Sequence, residues 1–193
     1  MTPEETHELL VELGVLQHGH FRLTSGSHSD TYLQCARALQ YPDAGRRIGA
    51  ALAELVAGLR CDVVASPAIG GILAGYVVAT ALERRFVFAE RSEGAMAFRR
   101  GQGPSPGERV LVVEDVVTTG ASALEVAHRS EEVGADVVGL ACIVDRSPAL
   151  PADARPPLEP QGLLTVAPVV WEPDTCPLCA EGRPLDRPGS RSA

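Results

Sequence analysis

The stretch VLVVEDVVTTGAS, residues 110–122, decides the fold because it joins a buried strand to the start of a helix. Its apolar, β-branched beginning predicts a strand over Val110–Val113, and two carboxylates, Glu114 and Asp115, follow directly. Three hydroxyl side chains and a glycine come next, where free backbone N–H groups and the helix dipole attract a phosphate. The stretch therefore predicts a phosphate site a few residues from a pair of acids.

A phosphorylated ribose suits this pattern. The turn can hold the phosphate while Glu114 and Asp115 accept hydrogen bonds from ribose hydroxyls, and each charge-assisted bond contributes roughly 1.5 to 3 kcal/mol. The alternative is an ordinary strand before an ordinary helix. A purely structural strand, however, gives no reason for adjacent acids followed by three hydroxyls.

Strands and helices alternate on both sides of this stretch. The periodicity predicts helices over residues 42–58, 72–82 and 121–133, and strands over residues 62–65, 86–89, 137–144 and 163–169. This alternation predicts an α/β fold in which a central parallel sheet is wound by right-handed crossovers and flanked by helices. Ligands collect at the carboxyl ends of such strands, so we expect the functional loops at residues 66–71, 89–103, 115–122 and 145–147.

The N-terminal segment is organised differently. Thr2-Pro3-Glu4-Glu5 combines a helix N-cap, a first-turn proline and a capping-box glutamate, so it predicts a short leading helix that ends near Gly14. Two short alternating segments then flank a turn-rich run at residues 25–30. We interpret the 193 residues as a single domain, with an N-terminal unit over 1–40, a core over about 41–170 and a tail over 171–193.

Amino-acid composition and charge argue against several classes of protein. A hydrophobic content of 45% predicts a globular protein, and a net charge of -8 argues against a nucleic-acid partner or an anionic membrane surface. Residues 63–82 carry no charge, but Pro67, Gly70 and Gly71 interrupt them, which favours strand, loop and helix over a membrane span. The acidic N-terminus lacks the pattern of a signal peptide, so we expect a cytoplasmic protein.

The basic residues are all arginine, since the sequence has no lysine. Any mechanism that needs a lysine amine is therefore unavailable to this chain. The five cysteines are odd in number and scattered, which argues against a disulfide framework.

The run at residues 110–122 resembles the phosphoribosyl pyrophosphate (PRPP) motif of the type I phosphoribosyltransferases. The resemblance implies the fold of that family, with a small hood built from the N- and C-terminal segments beside the central sheet. It also implies that PRPP is bound by Ile69, Gly70, Arg91, Glu114, Asp115, Val116, Val117, Thr118, Thr119, Gly120, Ala121 and Ser122.

Three further segments are similar to the orotate branch of that family. Residues 21–26 resemble its hood segment, residues 65–71 its pyrophosphate loop, and Val144-Asp145-Arg146 the place where the family puts an arginine on the orotate carboxylate. The resemblance implies orotate contacts at Ser25, Gly26, Thr118 and Arg146. A guanidinium discriminates a carboxylate by bidentate pairing, although an arginine in a turn is also common on surfaces.

The resemblance further implies transfer of the phosphoribosyl group from PRPP to orotate in pyrimidine (UMP) biosynthesis. Mg²⁺ is expected as the cofactor, held mainly by PRPP with no direct protein ligand, and a homodimer with shared active sites is expected. The catalytic residues are expected to be Glu114, Asp115, Arg99 and Arg100, with the arginines reaching a neighbouring subunit's site to balance charge on the departing pyrophosphate.

The chain departs from the family pattern at positions where members carry lysine or histidine side chains. Members often carry lysine where this chain has Thr24 and Gly70, and their mobile loop brings lysines and a histidine where this chain offers only arginines. Guanidinium groups stay protonated and are poor proton donors, so water, His20 or His28 is left as a proton source.

Several alternatives remain open from the sequence. A purine phosphoribosyltransferase would share the run at 110–122, and a non-catalytic regulator of this fold would sense PRPP without chemistry. Cys176-x-x-Cys179 is either a redox pair, an incidental pair or half of a zinc site whose other half comes from a second subunit. Trp171 is expected to anchor the tail.

Overall fold

The computed structural model describes residues 1–23 and 25–188, so Thr24, where family members often carry lysine, and residues 189–193 lie outside the described part. The helices are α1 (Pro3–Glu12), α2 (Ala36–Leu39), α3 (Pro42–Leu55), α4 (Gly70–Leu82), α5 (Ala121–Glu132) and α6 (Pro177–Ala180). The strands are β1 (Leu16–Arg22), β2 (His28–Leu33), β3 (Val63–Pro67), β4 (Arg85–Ser92), β5 (Ala95–Phe98), β6 (Arg109–Val117), β7 (Asp136–Asp145), β8 (Pro160–Thr165) and β9 (Val170–Trp171).

The central sheet has six strands in the order β5-β4-β3-β6-β7-β8. β3 pairs in parallel with both β4 and β6, and β7 pairs in parallel with β6 and β8, while β5 is an antiparallel edge strand. The predicted α/β class with a mostly parallel sheet is confirmed. The carboxyl ends of its parallel strands therefore form a common edge where loops converge.

Helices cover both faces of the central sheet. Leu10 of α1, Ile48 and Leu52 of α3 and Val78 of α4 are buried in the core on one face. On the other face, Val126 of α5 belongs to a second buried cluster. Helices α3 and α4 pack closely, since a Cβ on Gly49 would lie 2.5 Å from the carbonyl oxygen of Val77.

A second, smaller sheet has the order β1-β2-β9 and is called the hood sheet below. β1 and β2 form an antiparallel hairpin, and β9, from the C-terminal tail, pairs with β2 through His28 and Trp171. Further along the tail, the Asp186 carbonyl accepts from Arg22 N–H at 2.8 Å. The predicted hood is thus built from both ends of the chain, and Trp171 does anchor the tail.

Three predicted boundaries were wrong. The strand expected to end at Val113 continues through the acids to Val117, because Glu114 and Val116 stay in register with β7. The predicted loop at 89–103 contains instead the end of β4 and all of β5, joined by a tight turn at Glu93-Gly94 where both residues have positive φ. The strand expected over 163–169 ends at Thr165 as part of β8, and β9 begins only at Val170, in the hood sheet.

The uncharged segment at residues 63–82 forms strand β3 and helix α4, as predicted. Among the described residues, no helix combines the length and apolar character that crossing a membrane requires.

Candidate active site

The acid pair Glu114 and Asp115 lies near the carboxyl end of β6, half-buried at the converging edge of the sheet. The Asp115 carboxylate accepts from the backbone N–H of Val116 at 2.9 Å. Burial, together with the neighbouring charge of Asp115, raises the pKa of Glu114 to about 9, and burial also raises the pKa of Asp115. Glu114 thus holds its proton at pH 7, and a cation or hydroxyl donor that reaches the pair favours the ionised form.

The glycine-rich loop after β3 touches this acid pair. A Cβ built on Gly70 would lie 3.0 Å from an Asp115 carboxylate oxygen, and one on Gly71 would lie 2.9 Å from a Glu114 carboxylate oxygen. The loop includes a cis peptide between Ala68 and Ile69, and the Ile69 side chain is 86% exposed. Two glycines therefore allow the backbone of the predicted pyrophosphate loop to approach the acids.

The predicted phosphate-binding turn, residues 118–122, follows the acid pair and opens α5; it is called the phosphate-binding turn below. Gly120 occupies the N-cap position with φ of 71°, a left-handed conformation that favours glycine, and no side chain caps the helix. Its missing side chain also makes room for Pro156, which a Cβ would approach to 2.9 Å. The Ala121 N–H donates to the Thr119 hydroxyl at 3.4 Å. The other N–H groups of the first turn of this 12-residue helix are the groups that can bind the predicted phosphate.

Arg146 lies beside the same turn, directly after β7. Its backbone N–H donates to the carbonyl oxygen of Val117 at 2.8 Å, which fixes Arg146 next to Thr118. The guanidinium is half-buried, its Nε has no hydrogen-bond partner among the described residues, and burial lowers its pKa. A half-buried cation without an acidic partner is a fitting receptor for an anionic ligand.

The hood sheet is tied to the edge of the central sheet where these groups lie. The chain leaves β8 at that edge and enters the hood within five residues, where Asp30 and Val169 exchange hydrogen bonds. Cys35, just after β2, packs against the backbone carbonyl of Asp115 with Sγ 3.9 Å from the oxygen. This contact behind the acids was not predicted, since nothing in the sequence singles out Cys35.

The predicted orotate contacts Ser25 and Gly26 form the tip of the hairpin between β1 and β2. Gly26 has φ of 96° and closes the turn by donating to the carbonyl of Leu23 at 3.0 Å. The tip is linked to the tail, since the Ser27 hydroxyl donates to Glu172 at 3.4 Å. No hydrogen bond joins these residues to the acid pair in the described part of the chain, so their role stays a prediction.

The predicted loop arginines are engaged with carboxylates of the same chain. Arg91 pairs with Glu125 of α5 at 2.8 Å, which lowers the pKa of that carboxyl group. Arg99 and Arg100 lie 3.8 and 3.1 Å from Glu90. Because β5 is three strands away from β6, these two arginines lie about 14 Å across the sheet from the acid pair of their own chain.

The histidines considered as proton sources lie elsewhere. His20 and His28 are buried in the hood sheet, where their ring nitrogens face each other at 3.0 Å and approach two tail cysteines. The structure therefore places them together with the Cys176-x-x-Cys179 pair and not with the acids.

The carboxylates of the acid pair determine how the protein could contribute to a Mg²⁺ site. Among the described residues, the groups of three or more metal-ligating side chains do not include Glu114 or Asp115. Two carboxylates at the edge of the sheet fit a Mg²⁺ ion that takes most of its oxygen ligands from substrate and water. They do not fit a cage made by the protein alone.

Comparison with known proteins gives a consistent result. Residues 38–158 match the model of the phosphoribosyl transferase domain. The chain is 48% identical over 191 residues to the orotate phosphoribosyltransferase of Caldanaerobacter subterraneus subsp. tengcongensis, covering 99% of both chains.

Solved structures of the orotate phosphoribosyltransferase of Mycobacterium tuberculosis H37Rv are also similar. Its complex with inorganic phosphate is 31% identical with a TM-score of 0.65, and its complex with PRPP is 30% identical with a TM-score of 0.63. Each alignment covers 84% of this chain and 95% of the other.

Proposed function

This chain belongs to the phosphoribosyltransferases and, among them, to the orotate phosphoribosyltransferases, and we propose that it transfers the 5-phosphoribosyl group of PRPP to orotate. The products are orotidine 5′-phosphate and pyrophosphate, so the enzyme acts in pyrimidine biosynthesis. The observation that carries the proposal is the meeting of the acid pair, the phosphate-binding turn and the glycine-rich loop at one edge of the sheet.

These three parts suit the three parts of PRPP. The backbone N–H groups of residues 118–122 bind the 5′-phosphate, Glu114 and Asp115 accept from the ribose hydroxyls, and the Gly70 backbone lies beside the pyrophosphate. Glu114 gives up its proton as the hydroxyls and cation arrive, because both interactions favour the carboxylate.

Arg146 supports an acidic pyrimidine as the second substrate. Among the described residues its guanidinium Nε has no hydrogen-bond partner, and its backbone adjoins Val117, the residue before Thr118. The guanidinium can receive the orotate carboxylate in a bidentate pair. A purine base carries no carboxylate to place there, so nothing at this position favours the purine alternative.

The chemistry is a substitution at C1′ of the ribose. The bond between C1′ and the pyrophosphate oxygen breaks with its electron pair leaving on pyrophosphate, the bond from orotate N1 to C1′ forms, and the N1 proton passes to water. Positive charge develops on the ribose in the transition state, and the carboxylates of the acid pair stabilise it. Mg²⁺, when bound with PRPP, neutralises charge on the leaving pyrophosphate.

Arginines of the β4–β5 hairpin supply further positive charge. Arg91 lies near the end of β4, and Arg99 and Arg100 directly follow β5. Arg99 and Arg100 lie about 14 Å across the sheet from their own chain's acid pair and face Glu90, which favours action in the site of a second subunit of a homodimer. Mixing an Asp115→Asn variant with an Arg99→Ala/Arg100→Ala double variant tests this, since subunit exchange regenerates one complete site per mixed dimer. Recovered activity is expected, and its absence after verified exchange would contradict shared sites.

We place the reaction in the cytoplasm. The five cysteines, all within the described residues, are free thiols, which suits a reducing compartment.

The decisive experiment is a substrate panel. The protein is incubated with Mg²⁺, PRPP and each of orotate, uracil, adenine, hypoxanthine and xanthine, and nucleotide and pyrophosphate are quantified. Orotidine 5′-phosphate is expected from orotate alone. A purine nucleotide would support the purine alternative, and saturable PRPP binding without any nucleotide would support a sensor.

A further inference from the structure

Four side chains with metal-ligating atoms meet where the tail packs on the hood sheet. They are His20 of β1, His28 of β2, Cys176 before α6 and Cys179 within it, and are called the hood–tail cluster below. Their ligand atoms all lie within 4.8 Å of one another. Three of the residues are buried, with exposed fractions of 3% for His20, 5% for His28 and 4% for Cys176.

The spacing of these atoms is close to that of a tetrahedral site, with the two histidine nitrogens about 0.3 Å nearer each other than zinc would hold them. Zinc bonds of about 2.0 Å to nitrogen and about 2.3 Å to sulfur place neighbouring ligands of a tetrahedron roughly 3.3 to 3.8 Å apart. His20 Nε2 lies 3.0 Å from His28 Nδ1, 3.5 Å from Cys176 Sγ and 3.6 Å from Cys179 Sγ. Cys179 Sγ lies 3.3 Å from His28 Nδ1.

Hydrogen bonding also orients one ligand. The other ring nitrogen of His20, Nδ1, lies 3.0 Å from the carbonyl oxygen of Arg183. That carbonyl can only accept, so Nδ1 carries the proton and Nε2 turns its lone pair toward the cysteines. Metal-ligating histidines characteristically have such a partner on the second nitrogen.

The short helix α6 brings its two sulfurs to the same side. The backbone N–H of Ala180 donates to the Cys176 carbonyl at 3.3 Å, which closes one turn around the Cys-x-x-Cys pair. Two sulfurs from one turn and two imidazoles from one hairpin then face each other, and the chain needs no second subunit to complete the set.

We propose that the hood–tail cluster is a structural Zn²⁺ site of the Cys₂His₂ type. Two thiolates and two imidazoles suit zinc, whereas Mg²⁺ and Ca²⁺ prefer oxygen ligands and iron–sulfur clusters are held by more cysteines. Four protein ligands close the coordination sphere, so the ion holds structure and offers no open position for chemistry.

The site would fix the C-terminal tail to the hood sheet. Apart from it, the described tail after β9 is held to β1 mainly by backbone bonds of Asp186 with His20 and Arg22, both 2.8 Å long. An ion shared by residues about 150 positions apart adds a cross-link that the unfolded chain lacks.

The first test is the metal content of the wild-type protein. The chain is expressed in zinc-supplemented medium and purified under reducing conditions without chelators, and its zinc is measured by mass spectrometry. One zinc per chain is expected, and X-ray absorption should show two sulfur and two nitrogen neighbours at about 2.3 and 2.0 Å. Protein that stays zinc-free and takes up no stoichiometric Zn²⁺ would overturn the proposal.

Matched variants locate the ion. His20→Ala and Cys179→Ser are expected to lose most of the zinc, while His18→Ala, on the exposed side of the same strand, and Cys61→Ser, in the core, keep it. Full zinc in the first pair would overturn the assignment. So would a Cys176–Cys179 disulfide found by mass spectrometry in the native protein, since it would identify a redox pair.

Discussion

The edge of the central sheet that carries the acid pair, called the active-site edge below, and the hood–tail cluster are assembled in opposite ways. At the active-site edge, acids and phosphate-binding turn come from one continuous stretch, residues 114–122, and the sheet only adds the loop after β3 and Arg146. The hood–tail cluster joins a hairpin near the start of the chain to a helical turn near its end. A continuous motif is recognisable from the order of its residues alone, whereas the second site exists only once the chain has folded.

The sharpest test of this contrast is Asp115→Asn, which keeps the shape of the active-site edge and removes a charge. We expect kcat/KM for PRPP to fall roughly 10- to 150-fold, because a charge-assisted hydrogen bond contributes roughly 1.5 to 3 kcal/mol. Asp62→Asn is the control, since Asp62 pairs with Arg109 at the opposite end of the sheet. Steady-state kinetics measures both variants, and unchanged turnover in Asp115→Asn would remove this residue from the site.

Arg146→Ala tests whether the edge distinguishes its two substrates. The KM for orotate should rise roughly tenfold or more while that for PRPP stays nearly constant, because the guanidinium is assigned to the carboxylate alone. Arg155→Ala is the matched control, since Arg155 is exposed and its side chain donates, among the described residues, to the carbonyl oxygens of Pro148 and Leu150. Equal changes in both KM values would refute the assignment.

Hydrogen exchange compares the two regions within one protein. Removal of zinc by a chelator should speed amide exchange about tenfold across residues 172–186, because local opening of the tail then costs less free energy. Residues 110–122 should not change. In a Cys176→Ser/Cys179→Ser variant the amides of the tail should exchange fast with or without chelator. If the chelator left amide exchange in the wild-type tail unchanged, the tail would not depend on the ion.

Substitution of Arg91 tests whether the β4–β5 hairpin contributes to PRPP binding. If its guanidinium contacts pyrophosphate, Arg91→Ala should raise the KM for PRPP a few-fold, about 1 kcal/mol of binding at a solvent-exposed site. Glu125→Gln breaks the same ion pair but leaves the guanidinium in place, so its KM should stay unchanged. Equal effects in the two variants would show that the pair matters only for packing.

The last prediction concerns the free energy of unfolding and its dependence on pH, not the activity. The folded pKa of Glu114, about 9, lies above its ordinary value of 4.5, so between these pH values the folded protein keeps a proton that the unfolded chain has lost. The free energy of unfolding should therefore fall as pH rises from about 5 to 8 in the absence of PRPP. Glu114→Gln should flatten this decline in thermal unfolding curves, and an identical slope would show that the carboxyl group is already ionised.

The sequence predicted most of the fold, and its errors have physical causes. The strand through Glu114 and Asp115 was taken to end early, because polarity along one chain does not reveal the hydrogen bonds to β7 that continue it. The hairpin was taken for a loop, since its arginines and glycines obscure the strand alternation.

The site was predictable to a similar degree. Parallel strands end at one edge, which explains why the Gly70 loop lies against the acids and why Arg146 adjoins Val117 at the end of β6. The roles predicted for these residues stay predictions. The partners of His20 and His28 were not predictable, since they lie about 150 residues away and no short spacing links them. The proton-source role considered for these histidines has no support in their position.

The division of the hood between the two ends of the chain also has a consequence for synthesis on the ribosome. The sheet from β3 to β8, with its acids and phosphate-binding turn, is complete before the last residues are translated. β9, α6 and both tail cysteines emerge after β8, so the hood sheet is completed only when the central sheet has been translated. A stalled or truncated chain that ends before Val170 would have an intact active-site edge but an incomplete hood sheet. Varying the length of the nascent chain would therefore show the order in which the two sheets assemble.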